Sequence, residues 1–100
     1  MNTTARKLTL DEIKALPKAS VIWMENQYIT DEGIIWYSLD PMMVCVPGEN
    51  GCLIGGDKHS HFDLDIDDHL LDDSTMWNME PAKDQLVGIS AAEYDAMIAP

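Results

Sequence analysis

The sequence predicts an α+β domain: a small antiparallel sheet or half-open barrel of five to seven short strands, with a short helix at each end. Three observations carry this. Short runs rich in β-branched and aromatic residues recur at close spacing, separated by Gly, Pro, Asn and Asp. No long helical pattern lies between them, so the crossovers that a parallel sheet needs are missing. A capping box opens each terminal helix.

The first helix starts at Thr9-Leu10-Asp11-Glu12. The Thr9 hydroxyl can accept from the Glu12 amide while Glu12 reaches back, and Leu8 and Ile13 can staple the entry. Pro17 ends the helix after about two turns, because the residue before proline avoids the helical region. Ser20–Glu25 reads as a strand, with Asn26-Gln27 as a turn and Tyr28-Ile29 continuing extended. Thr30–Gly33 is a turn. Ile34–Leu39 is a second strand, broken by Asp40-Pro41. Met42–Val46 is a third, and Cys52–Ile54 pairs with it across the Pro47–Gly51 loop. Gly55-Gly56-Asp57 turns the chain again.

The segment His59–His69, H-S-H-F-D-L-D-I-D-D-H, alternates strictly. Read as a strand, it sets His59, His61, Asp63, Asp65, Asp67 and His69 on one face. Asp67, Asp68, Asp72 and Asp73 then flank Leu70-Leu71 in a loop or one helical turn. Thr75–Met79 is a short strand ended by Glu80-Pro81. Leu86–Ile89 is a last strand or an extended lead-in. Ser90-Ala91-Ala92-Glu93 is the second capping box, stapled by Ile89 and Tyr94; Tyr94, Met97 and Ile98 share one side of its helix.

One hundred residues make one domain, 1–100, and 46% apolar residues suit a folded chain. The net charge of −12 is uneven. Residues 1–18 hold four bases and two acids. Residues 19–100 hold sixteen acids and two bases, Lys58 and Lys83, a balance of −14. Such a body repels nucleic acid and anionic lipid and attracts basic protein surfaces. The N-terminus shows no apolar signal region and no run approaches transmembrane length, so the expected location is the cytoplasm. There Cys45 and Cys52 are expected to be free, small buried thiols.

His59-Ser60-His61-Phe62-Asp63 fits H-x-H-x-D, a spacing that projects two imidazoles and a carboxylate together and suits zinc. It resembles the first half of the metallo-β-lactamase-type motif. However, Leu64 stands where that motif has His, and the chain is too short for that fold, so its function is not carried over. The solvated face of a sheet accounts for the stripe without a metal. An EF-hand loop starting at Asp63 would need Gly at 68 and Glu at 74, where Asp68 and Ser74 stand. No P-loop, nucleophile elbow, Rossmann glycine pattern or C-x-x-C occurs. Residue type alone supports a Cys52 nucleophile paired with His59 or His61. Trp23, Trp36 and Trp77 fall in strands and are expected in the core, with one or two of them as exposed anchors.

The expectation is therefore a non-enzymatic acidic module without cofactor. It binds a basic protein surface, such as that of a nucleic-acid-binding protein, through Asp63, Asp65, Asp67, Asp68, Asp72 and Asp73. In size and charge the chain resembles the phage and mobile-element inhibitors that occupy nucleic-acid channels, among them anti-CRISPR and anti-restriction proteins. The alternative is a metal-binding domain or small metalloenzyme using His59, His61 and Asp63.

Overall fold

The computed structural model describes residues 4–56, 61–65 and 74–98. Helix α1 spans Leu10–Lys14 and carries both bonds of its capping box: Glu12 N–H donates to Thr9 Oγ1 at 3.2 Å, and Thr9 N–H to Glu12 Oε1 at 3.1 Å. The strands are β1 (Val21–Ile29), β2 (Ile35–Val46), β3 (Cys52–Gly55), β4 (His61–Asp63) and β5 (Ser74–Trp77). A single 3-10 turn at Lys83–Gln85 precedes α2, Ala91–Ile98.

All strand pairs are antiparallel, in the order β4-β3-β2-β1-β5. This is an open five-stranded sheet, at the lower end of the expected strand count. The first four strands form a simple meander. β5 returns to the free side of β1, and its own outer side is taken by the N-terminal segment. Leu8 N–H donates to Met76 O at 2.8 Å, and Asn78 N–H to Arg6 O at 3.1 Å. That pairing shields an edge that would otherwise offer unpaired backbone groups.

Two expected breaks are absent. β1 runs straight through Asn26-Gln27, because both residues pair, Asn26 with Ser38 and Gln27 with Tyr37. β2 runs through Asp40-Pro41. Pro41 pairs with Trp23, but β3 reaches only to Gly55 opposite Met42, so the proline sits where β2 has a neighbour on one side alone. Among the described residues of the striped segment, His61–Asp63 is a strand and Leu64-Asp65 a turn. Leu64 is fully buried on the same face as Phe62, and its N–H donates to Gly51 O at 2.9 Å, continuing the β3–β4 register by one pair before the chain turns. Leu86 is extended and residues 87–89 form bends, not a strand.

Opposed residues share a sheet face, and the two faces differ. The inner face presents Ile22, Met24, Met42, Val44, Leu53 and Met76, which pack with Ile13 of α1, Leu8 and Leu64 into the core. Leu10, Leu16 and Phe62 pack against it. The outer face presents Val21, Trp23 and Glu25 of β1 with their partners. One part of it is covered by the segment leading into α2. Among the described residues no helix is long and apolar enough to cross a membrane.

Candidate functional site

The outer face is built by register. Val21 lies opposite Met43, Met43 opposite Ile54, and Ile54 opposite His61, one row across four strands. Val21 and Met43 are exposed. With Pro41, Ile54 and Gly55 they line an apolar cleft of about 290 Å³. The next row toward β4 sets Cys52 opposite Asp63. A register shift between Val44 and Val46 places Cys45 beside Cys52. Burial pushes the Cys52 thiol above its ordinary value, and the neighbouring Cys45 thiol adds to the rise.

The acidic stripe therefore shares a face with an apolar row. His61 is exposed and Asp63 half-buried on the same side of β4, and Asp65 is exposed in the turn beyond. His59, Asp67, Asp68, Asp72 and Asp73 lie outside the described residues. Among the described residues no three His, Cys, Asp or Glu side chains converge to hold a metal ion. No Lys or Arg occurs between Ala19 and Asp57. Arg6 pairs with Glu12, Lys14 with Glu49, and Lys83 with Asp95.

Glu25 is the polar residue that sequence reasoning missed. It is 3% exposed, yet it faces the same side as Trp23 on a largely apolar strand. Trp77 Nε1–H donates to its Oε1 at 2.8 Å. Its Oε2 accepts from the Tyr37 hydroxyl at 2.6 Å and from the Val87 and Gly88 N–H groups at 2.7 Å each. Burial alone raises the carboxyl pKa, but these four donors together outweigh it and hold Glu25 below the ordinary carboxylate value. The Tyr37 hydroxyl goes the other way, raised by burial and then by the Glu25 charge. Tyr94 of α2 meets the Tyr37 ring edge-on, with centroids 5.0 Å apart.

All four of these donors to Glu25 are fixed. The carboxylate is consumed by structure and clamps residues 87–88 onto the sheet. The sequence did hold one signal: a Glu within Val21–Ile29, on a strand otherwise rich in apolar side chains, has to be paired.

No family model, no curated protein and no solved structure matches the chain.

Proposed function

We propose that the protein is a non-enzymatic acidic binding module that engages a basic protein surface, and that the surface belongs to a nucleic-acid-binding protein. The carboxylates take the place of phosphates, as in inhibitors that fill nucleic-acid channels. The observation that carries the reading is the outer face: Asp63 shares it with an exposed apolar row on a hydrogen-bonded sheet, and Asp65 is exposed in the turn that follows. A stiff sheet holds charges at fixed spacing, and an acidic body steers basic partners toward it.

The test is retention of a partner from extract of the cells that encode the chain, with identification by mass spectrometry. Binding should weaken as salt rises, since exposed charges are screened beyond about 8–10 Å at physiological ionic strength. The triple change Asp63→Asn, Asp65→Asn, Asp67→Asn should weaken binding with the melting temperature retained. Equal affinity in that variant would remove the carboxylates from the interface. His61 and Asp63 project from the same side of β4, so metal analysis belongs beside this test. Stoichiometric zinc, lost in a His59→Ala/His61→Ala variant, would move the function to a metal site.

A further inference from the structure

β1 and β2 are longer than the sheet that holds them. Among the described residues, β5 pairs with β1 over Trp23–Asn26, and β3 with β2 over Met42–Val46. Beyond those limits the described residues pair the two strands with each other: Gln27 with Tyr37, Tyr28 with Trp36, Ile29 with Ile35. Among the described residues the end of β1 and β2 is thus a two-stranded arm. Such a ribbon is marginal by itself and gains nothing from exposed apolar side chains. Its end nevertheless carries Ile29 and Trp36, each 61% exposed, with Ile34 and Ile35 beside them. Ile29 and Ile35, opposite each other, take one face of the ribbon and Trp36 the other, so large exposed apolar side chains crowd both sides of the tip, the kind of surface that marks an interaction site.

The tip is ordered before it meets anything. Gly33 N–H donates to Thr30 O at 2.9 Å, Thr30 N–H to Ile34 O at 2.9 Å, and Ile34 N–H to Thr30 Oγ1 at 3.1 Å. Gly33 takes a φ of 84°, which its missing Cβ allows. A preformed hairpin loses little freedom on binding. Its charge is one-sided: Asp31 and Glu32 sit in the turn and Asp40 nearer the base, all exposed, with no base anywhere from 19 to 57. Those carboxylates repel phosphates and anionic lipid, and they set like charge against like if two tips of this chain meet. They match a protein pocket with an apolar floor and a rim of Lys or Arg.

We infer that the tip of the β1–β2 arm is the anchor of the protein, with Trp36 inserting into an apolar, base-rimmed pocket on its partner. The inference rests on the basic partner proposed above and adds a second place of contact, distant in sequence from Asp63 and Asp65. The acidic body draws the partner in, and the arm holds it.

The experiment uses the full chain. A partner retained from extract is identified and purified, and its Kd is measured for wild type, Trp36→Ala, Asp31→Asn/Glu32→Gln and Asp63→Asn/Asp65→Asn. Circular dichroism confirms that each variant is folded. Trp36→Ala should weaken binding roughly tenfold or more, as removal of a central aromatic anchor does, with the salt dependence unchanged. Asp31→Asn/Glu32→Gln should weaken it less and flatten the salt dependence. Hydrogen exchange on the partner should show protection at an apolar pocket bordered by Lys or Arg. A Kd for Trp36→Ala within about twofold of wild type overturns the anchor; a loss in Asp63→Asn/Asp65→Asn at the same time leaves the acidic-module reading standing. Retention of no protein by wild type overturns both. A Trp36-dependent dimer in sedimentation velocity, or Trp36-dependent binding to phosphatidylcholine vesicles, assigns the tip to a second copy or to a membrane and also overturns it.

Discussion

Glu25 Oε2 lies 2.7 Å from the Gly88 backbone nitrogen, a hydrogen bond that spans 63 residues of chain. It joins the middle of β1 to the segment that leads into α2. With the bonds from Val87, Tyr37 and Trp77 it makes one carboxylate the meeting point of β1, β2, β5 and the C-terminal segment.

Glu25→Gln should destabilise the protein by about 2–4 kcal/mol, because an amide offers one acceptor oxygen to four donors and aims its own N–H groups at the rest. Tyr37→Phe should cost about 1.5–3 kcal/mol, the range for a hydrogen bond to a charged group. The pH dependence follows from the lowered Glu25 value. A carboxyl whose folded pKa is depressed adds stability above its unfolded value, near 4.3, and loses it as pH falls through the folded value. Urea midpoints of wild type and Glu25→Gln should therefore converge below about pH 4.3. Tyr37, raised in the fold, adds stability that is full below about pH 10 and declines as pH climbs further. A constant gap between the two proteins from neutral pH into acid would refute the charged clamp.

Gly88→Ala should loosen the same contact from the other side. A Cβ there would stand 2.7 Å from Tyr37 Cε2 and 3.4 Å from Glu25 Oε2. The ring is held by Tyr94 and by its bond to Glu25, so it has little room to yield. A cost of about 1–3 kcal/mol is expected from such overpacking. Proteolysis of the C-terminal segment should speed up correspondingly, which limited trypsin or chymotrypsin digestion would read.

The two caps should differ. Thr9→Ala removes one half of a complete capping box, and a loss of about 0.5–2 kcal/mol is expected in thermal melts. At the second cap, Glu93 N–H donates to Ser90 Oγ at 3.2 Å, but the Glu93 carboxylate accepts from the Ser90 hydroxyl rather than from its backbone. Only one backbone donor of α2 is served by that pair. Ser90→Ala should fall nearer the lower end of the same range, and a larger loss than for Thr9→Ala would contradict the geometry.

Cys52 should react slowly. Its thiol is raised by burial and by Cys45, so less thiolate is present at neutral pH than in a free cysteine. In a Cys45→Ser variant the remaining Cys52 should be alkylated by iodoacetamide more slowly than glutathione, since burial persists. Reaction as fast as glutathione would show an open thiol.

The antiparallel class and the terminal helices were legible because both rest on local chemistry: turn residues between β-rich runs, and a hydroxyl three residues before a glutamate. The two missed continuities were not local. Asn26-Gln27 and Asp40-Pro41 both look like breakers in isolation, but each is pinned by its opposite strand, Asn26 by Ser38 and Pro41 by Trp23. Of the striped segment, the described residues keep His61–Asp63 extended and turn at Leu64-Asp65, with Leu64 on the core side as alternation places it. Of the candidate site, His61 and Asp63 were placed on one face by alternation alone. Glu25 stayed hidden because its partners come from residues 37, 77, 87 and 88, which no spacing rule brings together. Among the tryptophans, Trp77 is buried, Trp23 half-buried and Trp36 exposed. Alternation predicts a face but not where a sheet stops being covered.

The clamp at Glu25 also sets an order of events during synthesis. β1, β2 and β3 are consecutive hairpin partners, and that meander can close as soon as Gly55 has left the ribosome. The Glu25 carboxylate cannot be fully dressed until Gly88 follows, because two of its four donors arrive with residues 87 and 88. Until then a nascent chain holds a carboxylate on a largely apolar strand with half its partners missing. Contacts between residues so distant in sequence form late and slowly. The seating of residues 87 and 88 is thus a late step of folding, and until it occurs the sheet is paired but not yet locked.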